Sequence, residues 1–217
     1  MEVIYLGHSS FKFRGKSVTV VTDPYDPEYV GLKYPKTEAD IVTVSHNHPD
    51  HNFISIVGGG PFVISQPGEY EIKGVSIFGF SSYHDDKQGA ERGKNIIYLI
   101  EVDGFRICHL GDLGERLSSE LIEEIGTADI LCIPVGGKVT LGTNEAVELT
   151  AQIEPSIVLP MHFNLPGINQ KIFGDLNPVD EFLSKMEVED KTVLDKLGIS
   201  KDKLPEETKV VILERKG

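Results

Sequence analysis

The run SHNHPDH, Ser45–His51, packs three of the chain's seven histidines and one aspartate into seven positions, with Pro49 in the middle. It follows "DIVTV" (Asp40–Val44), a β-branched stretch that reads as a strand. In extended backbone, residues two apart point the same way, so His46 and His48 offer their imidazoles to one side. Pro49 stops the strand and presets φ at about −65°, which suits the start of a helical turn. Asp50 and His51 then emerge in a different direction. The spacing H-x-H-x-D-H therefore splits into two ligand pairs aimed at adjacent points. A centre of two cations roughly 3.5–4 Å apart requires that arrangement. Crowding this many ionisable groups into a fold without a cation would be costly.

Four ligands are too few for two metals, so others must come from elsewhere in the chain. Three isolated residues qualify: His84 in "SSYHDD", Asp112 in "HLGDLG" and His162 in "LPMHF". Each ends a predicted strand, where packed sheets would bring side chains to a common rim. Gly111 and Gly114 allow a tight bend around Asp112. An aspartate can bridge two cations through its two oxygens, which a histidine cannot. Taken singly, each of the three is also ordinary strand-end or turn chemistry.

The first half reads as strands: "EVIYLG", "FKFRG", "SVTVVTDP", "ADIVTVSH", "PFVISQPG", "EYEIKG" and "VSIFGFSSYH". "IIYLIEVDG" and "FRICHLGD" follow as a hairpin turning at Asp103-Gly104. The second half alternates. "LSSELIEEIG" is a helix capped by Ser118 or Ser119 and ended by Gly126, "ADILCIPV" a strand, and "TNEAVELTAQIEP" a helix ended by Pro155. "SIVLPMH" is a strand, "NPVDEFLSKME" a helix and "TKVVILE" a closing strand. The charged run "VEDKTVLDKLGISKDKLPEE" reads as solvated surface. The pattern predicts an α+β fold of one domain over residues 1–217, with two sheets packed face to face and helices outside.

Composition narrows the function. The 217 residues carry a formal net charge of −13, with scattered basic residues. Long nucleic acids, gripped through their phosphates, are therefore disfavoured partners, whereas a small anionic substrate held at a metal is not. No run approaches the roughly 20 apolar residues of a membrane span. The N-terminus lacks the basic n-region of a signal peptide, so a cytoplasmic protein is expected. The two cysteines, Cys108 and Cys132, lie in apolar runs and read as buried thiols. Homo-oligomerisation is left open.

The order SHNHPDH, His84, Gly111-Asp112, Met161-His162 resembles the five-motif order of the metallo-β-lactamase superfamily. The opening "YLGHSSFKFRGKSVTVVTDPYDP" is similar to the start of its ascorbate-phosphate lactonase-like branch. The resemblance implies a four-layer αββα sandwich of two mixed sheets. It implies that His46, His48 and His84 bind a first metal, that Asp50, His51 and His162 bind a second, and that Asp112 bridges them. The bridging position is not cysteine, unlike the β-lactamases proper. His48 stands where the flavo-diiron branch has glutamate, which disfavours oxygen or nitric oxide reduction. Asp23, in "TDP", is read as scaffold that bonds loop amides or His8. His8 and His109 are candidates to hydrogen-bond a ligand or to protonate a leaving group.

The implied cofactors are two divalent transition metals, with zinc or manganese ahead of iron or nickel. The implied activity is a metal-dependent hydrolase of lactonase or phosphodiesterase type. It would use a metal-activated hydroxide, oriented by the catalytic carboxylate Asp50, on a small anionic ester such as a phosphodiester or phosphorylated lactone. Arg92 and Lys94, in the polar loop after His84, are candidates to hold the substrate's anion, although solvated loop charges are the commoner case. An RNA-processing nuclease of the same superfamily would need a basic arm, which the sequence lacks. The alternative is a metal-binding or sensor protein that keeps the ligands without catalysis.

Overall fold

The computed structural model describes residues 1–217 and builds two large mixed sheets. The first has six strands in the order Leu197–Gly198, Glu2–Gly7, Ser10–Arg14, Thr19–Thr22, Ile41–Thr43 and Phe62–Ile64. The second has seven, in the order Lys209–Val210, Ile157–Met161, Ile130–Pro134, Phe105–His109, Lys94–Val102, Val75–Tyr83 and Gly68–Ile72. Alternation of side chains sorts the first sheet's faces. Val3, Tyr5, Phe11, Phe13, Val20 and Ile41 join a core shared with Ile77, Ile97, Leu99 and Ile107 of the second sheet, so the two sheets pack face to face. Leu6, Val21 and Val42 point the other way, into a smaller cluster closed by Tyr25, Tyr34 and Phe173.

The strands Ile130–Pro134 and Ile157–Met161 are buried along their whole length, as parallel strands covered on both faces must be. Helices Ser119–Ile125, Thr143–Ile153 and Val179–Lys185 bring Ile125, Ala146, Leu149, Ile153, Phe182 and Leu183 to the same core. The first sheet's outer layer is thinner, with the short helices Pro27–Val30 and Gln170–Phe173. The fold is thus the expected αββα sandwich with unequal outer layers. No helix is long and apolar enough to cross a membrane.

Local signals act where the sequence places them. Ser118 accepts a hydrogen bond from the Leu121 amide and caps its helix, and Gly126 ends it at positive φ. Asp103 and Gly104 both have positive φ, as a two-residue hairpin turn requires. Two segments differ from the sequence reading. The charged run contributes Leu197–Gly198 as an edge strand beside Glu2–Gly7. Besides the backbone pairing, Lys196 reaches Glu2 and Leu197 packs against the core, but the surrounding charged residues mask this in the sequence. The closing strand is split: Lys209–Val210 pairs with Ile157–Met161, and Ile212–Leu213 pairs with Val193–Leu194.

Candidate metal centre

Both sheets deliver strand ends to one rim, and the predicted ligands meet there. His46, His48 and His84 form one group and Asp50, His51 and His162 another, the latter joined by His8. A third group, His46, His51 and Asp112, links the two. Within each group the potential ligand atoms lie within 4.8 Å of one another. All except half-buried His48 are buried.

Asp112 sits at the hub. Its Oδ2 lies 3.1 Å from His51 Nε2, 3.1 Å from His162 Nε2, 3.2 Å from His84 Nε2 and 3.8 Å from His46 Nε2. Close as they are, these atoms are not aligned as hydrogen bonds. Nε2 of His46, His51 and His162 and Oδ1 of Asp112 are buried with no partner at all. An orphaned buried polar atom costs about 1–3 kcal/mol. Several converging on one point are the arrangement a cation resolves, so the residues fit divalent metals. The donor set of imidazole and carboxylate suits zinc, manganese, iron or nickel.

The supports of these side chains explain why they are presented with free lone pairs. Asp23 is fully buried and accepts three hydrogen bonds: Ser45 N–H at 2.7 Å, Ser45 Oγ–H at 2.6 Å and His51 Nδ1–H at 2.8 Å. Holding a proton on His51 Nδ1 makes Nε2 the atom that becomes the lone pair when the ring is neutral. The Ser45 hydroxyl has given its only proton to Asp23, so across the 2.9 Å contact with His46 it accepts from Nδ1–H. His46 Nε2 is thereby also left as a lone pair. One carboxylate thus sets the tautomers of two candidate ligands, one in each group. Asp23 bonds a loop amide as expected, but its imidazole partner is His51 rather than His8.

Electrostatics follow from burial and this wiring. Burial and the neighbouring His51 hold His46 well below the usual histidine range, in the neutral form that can ligate. Burial alone would raise Asp112, but the imidazoles of His162 and His51 keep its carboxyl well below the usual range. Burial likewise pushes His51 down, yet Asp112, Asp50 and the hydrogen bond to Asp23 carry it well above. A cation at His51 Nε2 would therefore displace a proton on binding.

His8 donates from Nε2 to Asp50 Oδ2 at 3.0 Å, and its Nδ1 is buried without a partner. Burial and the adjacent His162 lower its pKa to about 4. Its backbone has φ 53°, and its carbonyl accepts from Tyr5 Oη at 2.8 Å and from the His162 amide at 3.0 Å. Asp23 and His162 also have positive φ, at 40° and 51°. Such conformations persist only where the surroundings impose them, and they cluster at functional sites.

His109 stands apart from these groups. Its Nε2–H donates to the Ser9 carbonyl at 2.8 Å, and its Nδ1 accepts from the Gly111 amide at 3.2 Å. Both nitrogens are thus used in tying the loop after His8 to the turn that carries Asp112.

Two supporting residues carry no sequence signal that singles them out. Ser45 is the first, through its link from Asp23 to His46. Asn95 is the second: buried, it accepts from the Asp112 amide at 3.0 Å and donates to the Leu110 carbonyl and Ser82 Oγ, both at 2.9 Å. Its one hint is polarity at the head of an otherwise apolar strand. Neither glycine beside Asp112 has room for a side chain: a Cβ on Gly111, at φ 57°, would lie 2.4 Å from Asn95 Oδ1, and one on Gly114 2.4 Å from the His84 carbonyl oxygen.

A family model described as the beta-lactamase superfamily domain matches residues 2–162. A "UPF0173 metal-dependent hydrolase" of Lysinibacillus sphaericus is 30% identical, the match covering 81% of this chain and 92% of that protein. A protein of the same description from Thermococcus onnurineus is 29% identical, over 81% of this chain and 93% of its own length. A solved structure from Thermotoga maritima, assigned to the metallo-beta-lactamase superfamily, is 34% identical with a TM-score of 0.78 and covers 99% of each chain. Igni18, a metallo hydrolase of Ignicoccus hospitalis, shares the fold at 21% identity and a TM-score of 0.67, over 97% of this chain and 94% of its own. With the family match running through every strand end that supplies the rim, the chain belongs to the metallo-β-lactamase superfamily.

Proposed function

We propose that the protein is a metal-dependent hydrolase with a two-metal centre, acting on a small anionic ester, either a phosphodiester or a phosphorylated lactone. The observation that carries this reading is the Asp112 carboxylate, set among four imidazole nitrogens with none of them hydrogen-bonded to it. His46, His48 and His84 would hold one cation; Asp50, His51 and His162 would hold the other, with Asp112 between them. The description of the relatives as metal-dependent hydrolases supports the reaction class, and the resemblance of the opening segment to the lactonase-like branch supports the lactone form.

Divalent metals at such a centre supply Lewis acidity, activating water and polarising the scissile carbonyl or phosphoryl oxygen. The chain's residues prepare the rest. Asp23 fixes the Nδ1 protons of His46, through Ser45, and of His51, so Nε2 of each ring is the atom offered to a metal. Asp50, 6% exposed, is held at Oδ2 by His8 and is the carboxylate placed to orient water and take up its proton. Burial keeps His8 neutral at physiological pH, which suits positioning Asp50 better than protonating a leaving group.

The experiment is a panel. Protein loaded with zinc, manganese, iron or nickel is assayed on bis(p-nitrophenyl) phosphate and on a set of lactones, beside Asp112→Ala. Turnover that disappears together with bound metal in Asp112→Ala is the expected result. Full activity in metal-free protein would contradict it. No turnover on any ester with metal confirmed would point to a metal-binding sensor instead.

A further inference from the structure

Two cavities meet the candidate metal centre, and charge tells them apart. One, of about 660 Å³, includes His84 and is walled by Asp86, Glu91, Glu115 and Glu145. Of its cations, Lys138 pairs with Asp175 and Arg116 with Glu148 and Glu145, while Arg92 stands on the wall it shares with the second cavity. The other, of about 610 Å³, has His46 and His48 in its wall and is lined by Asn47, Gln66, Arg92 and Lys94. No carboxylate lines it. Arg92 and Lys94 make no ion pair, although the chain holds 34 acidic residues against 21 basic ones. A charge-free or acidic wall is the ordinary expectation at a net charge of −13; two unpaired cations beside two candidate ligands are not.

The loop that carries Arg92 is built rather than loose. Asp85 accepts hydrogen bonds from the backbone amides of Lys87, Gly89, Glu91 and Arg92, at 2.9, 2.9, 3.1 and 2.7 Å. Burial works against ionising Asp85, but these four donors bring its pKa down to about 2. The Gly93 carbonyl accepts from the His84 amide at 3.1 Å, which ties the loop back to a candidate ligand. The backbone that carries Arg92 and Lys94 is therefore anchored beside the candidate metal centre, and an anchored loop binds an anion without first being ordered.

We infer that the carboxylate-free cavity is the substrate subsite, and that Arg92 and Lys94 are its specificity-determining residues, receiving the substrate's anionic group. The inference rests on the hydrolase reading of the adjoining centre. Only three of the sixteen lining residues are hydrophobic, and Asn47, Asn52, Gln66, Ser65 and Ser81 present amide and hydroxyl groups. The subsite thus selects a polar anion of small-metabolite size over an acyl chain or an aromatic ring. The acidic cavity on the His84 side repels the same group.

The test is calorimetric titration of the metal-loaded protein with D-glucose 6-phosphate as an anionic probe and D-glucose as its neutral counterpart. The sugar phosphate binds and glucose does not. Arg92→Gln/Lys94→Gln weakens the phosphate at least about tenfold, the scale of a lost charge-assisted contact, and Lys94→Gln alone, at a residue that lines only this cavity, also weakens it; a loss confined to Arg92→Gln would place the anion in the other cavity. Both residues are exposed, so the fold is kept, and equal metal content verifies it. Lys138→Gln, in the acidic cavity, leaves binding unchanged. No binding by the parent protein, or equal binding by parent and double variant, would overturn the inference. A loss in Lys138→Gln matching that of the double variant would overturn it too, by placing the anion in the other cavity. Hydrolysis is read separately. Phosphate binding of the expected pattern without turnover of any ester would defeat the hydrolase reading and leave the anion subsite standing.

Discussion

Replacing Asp23 with asparagine removes one charge and nothing else of size, yet it reaches both groups of ligands. The aspartate accepts from Ser45 N–H, Ser45 Oγ–H and His51 Nδ1–H. An asparagine has one acceptor oxygen and one amide nitrogen. With the oxygen kept on the Ser45 amide, the nitrogen faces His51 Nδ1 and needs an acceptor there. His51 then moves its proton to Nε2, the atom 3.1 Å from Asp112, and loses the lone pair that would ligate. Ser45 Oγ also loses its acceptor and its hold on the His46 tautomer. Loss of such an outer partner weakens metal binding about 10–100-fold, or about 1.4–2.8 kcal/mol. Folding stability falls as well, by roughly 1.5–3 kcal/mol for a hydrogen bond to a charged group. Titration of metal-free Asp23→Asn against a competing chromophoric chelator measures the affinity, and thermal unfolding shows that the chain is folded at the assay temperature. Ser45→Ala should weaken binding less, because His51 keeps its partner. A folded Asp23→Asn that binds metal as tightly as the parent would refute the tautomer argument.

Three further outcomes are expected. His109→Leu orphans the Gly111 amide and leaves the Ser9 carbonyl only a long contact from Thr22 Oγ, and should cost at least about 1–3 kcal/mol in urea unfolding, while the folded fraction keeps its metal; unchanged stability with lost hydrolysis would instead mark His109 as the proton donor. Gly114→Ala places a Cβ 2.4 Å from the His84 carbonyl and should displace that ligand and lower metal content, whereas Gly198→Ala, with no atom near its Cβ, should not. Burial lifts the Cys108 thiol to about 12 and Cys132 well above its usual value, so neither should react with a disulfide reagent at pH 8 in about the time that unfolded protein reacts fully.

The sequence shows the fold where side-chain period and punctuation carry the information. Period-two alternation in Glu2–Gly7 and Ser10–Arg14 sorts the two faces of a sheet, and Ser118 and Gly126 bound a helix by chemistry local to a few residues. The candidate ligands are legible for a related reason: SHNHPDH is dense, and His84, Asp112 and His162 each follow closely on the end of a strand. What is not legible acts across distance or through the backbone. Asn95 reaches Asp112 over 17 positions, and Asp23 reaches His51 over 28, so no window of sequence contains both partners. The strand Leu197–Gly198 is held by main-chain hydrogen bonds in a run whose side chains are mostly exposed. His109 resembles His84 and His162 in sequence, standing at the end of a strand, and only its place outside the ligand groups and its two satisfied nitrogens separate it from them.

The most direct measurement is metal stoichiometry. Metal-free protein is titrated with zinc and, separately, with manganese, and bound metal per chain is counted by elemental analysis after removal of the excess, with Asp112→Ala alongside. Two equivalents in the parent, falling to one or none in Asp112→Ala, is the expected result. Saturation of the parent at less than one equivalent with either metal, or a count unchanged by loss of Asp112, would contradict a centre built around that carboxylate.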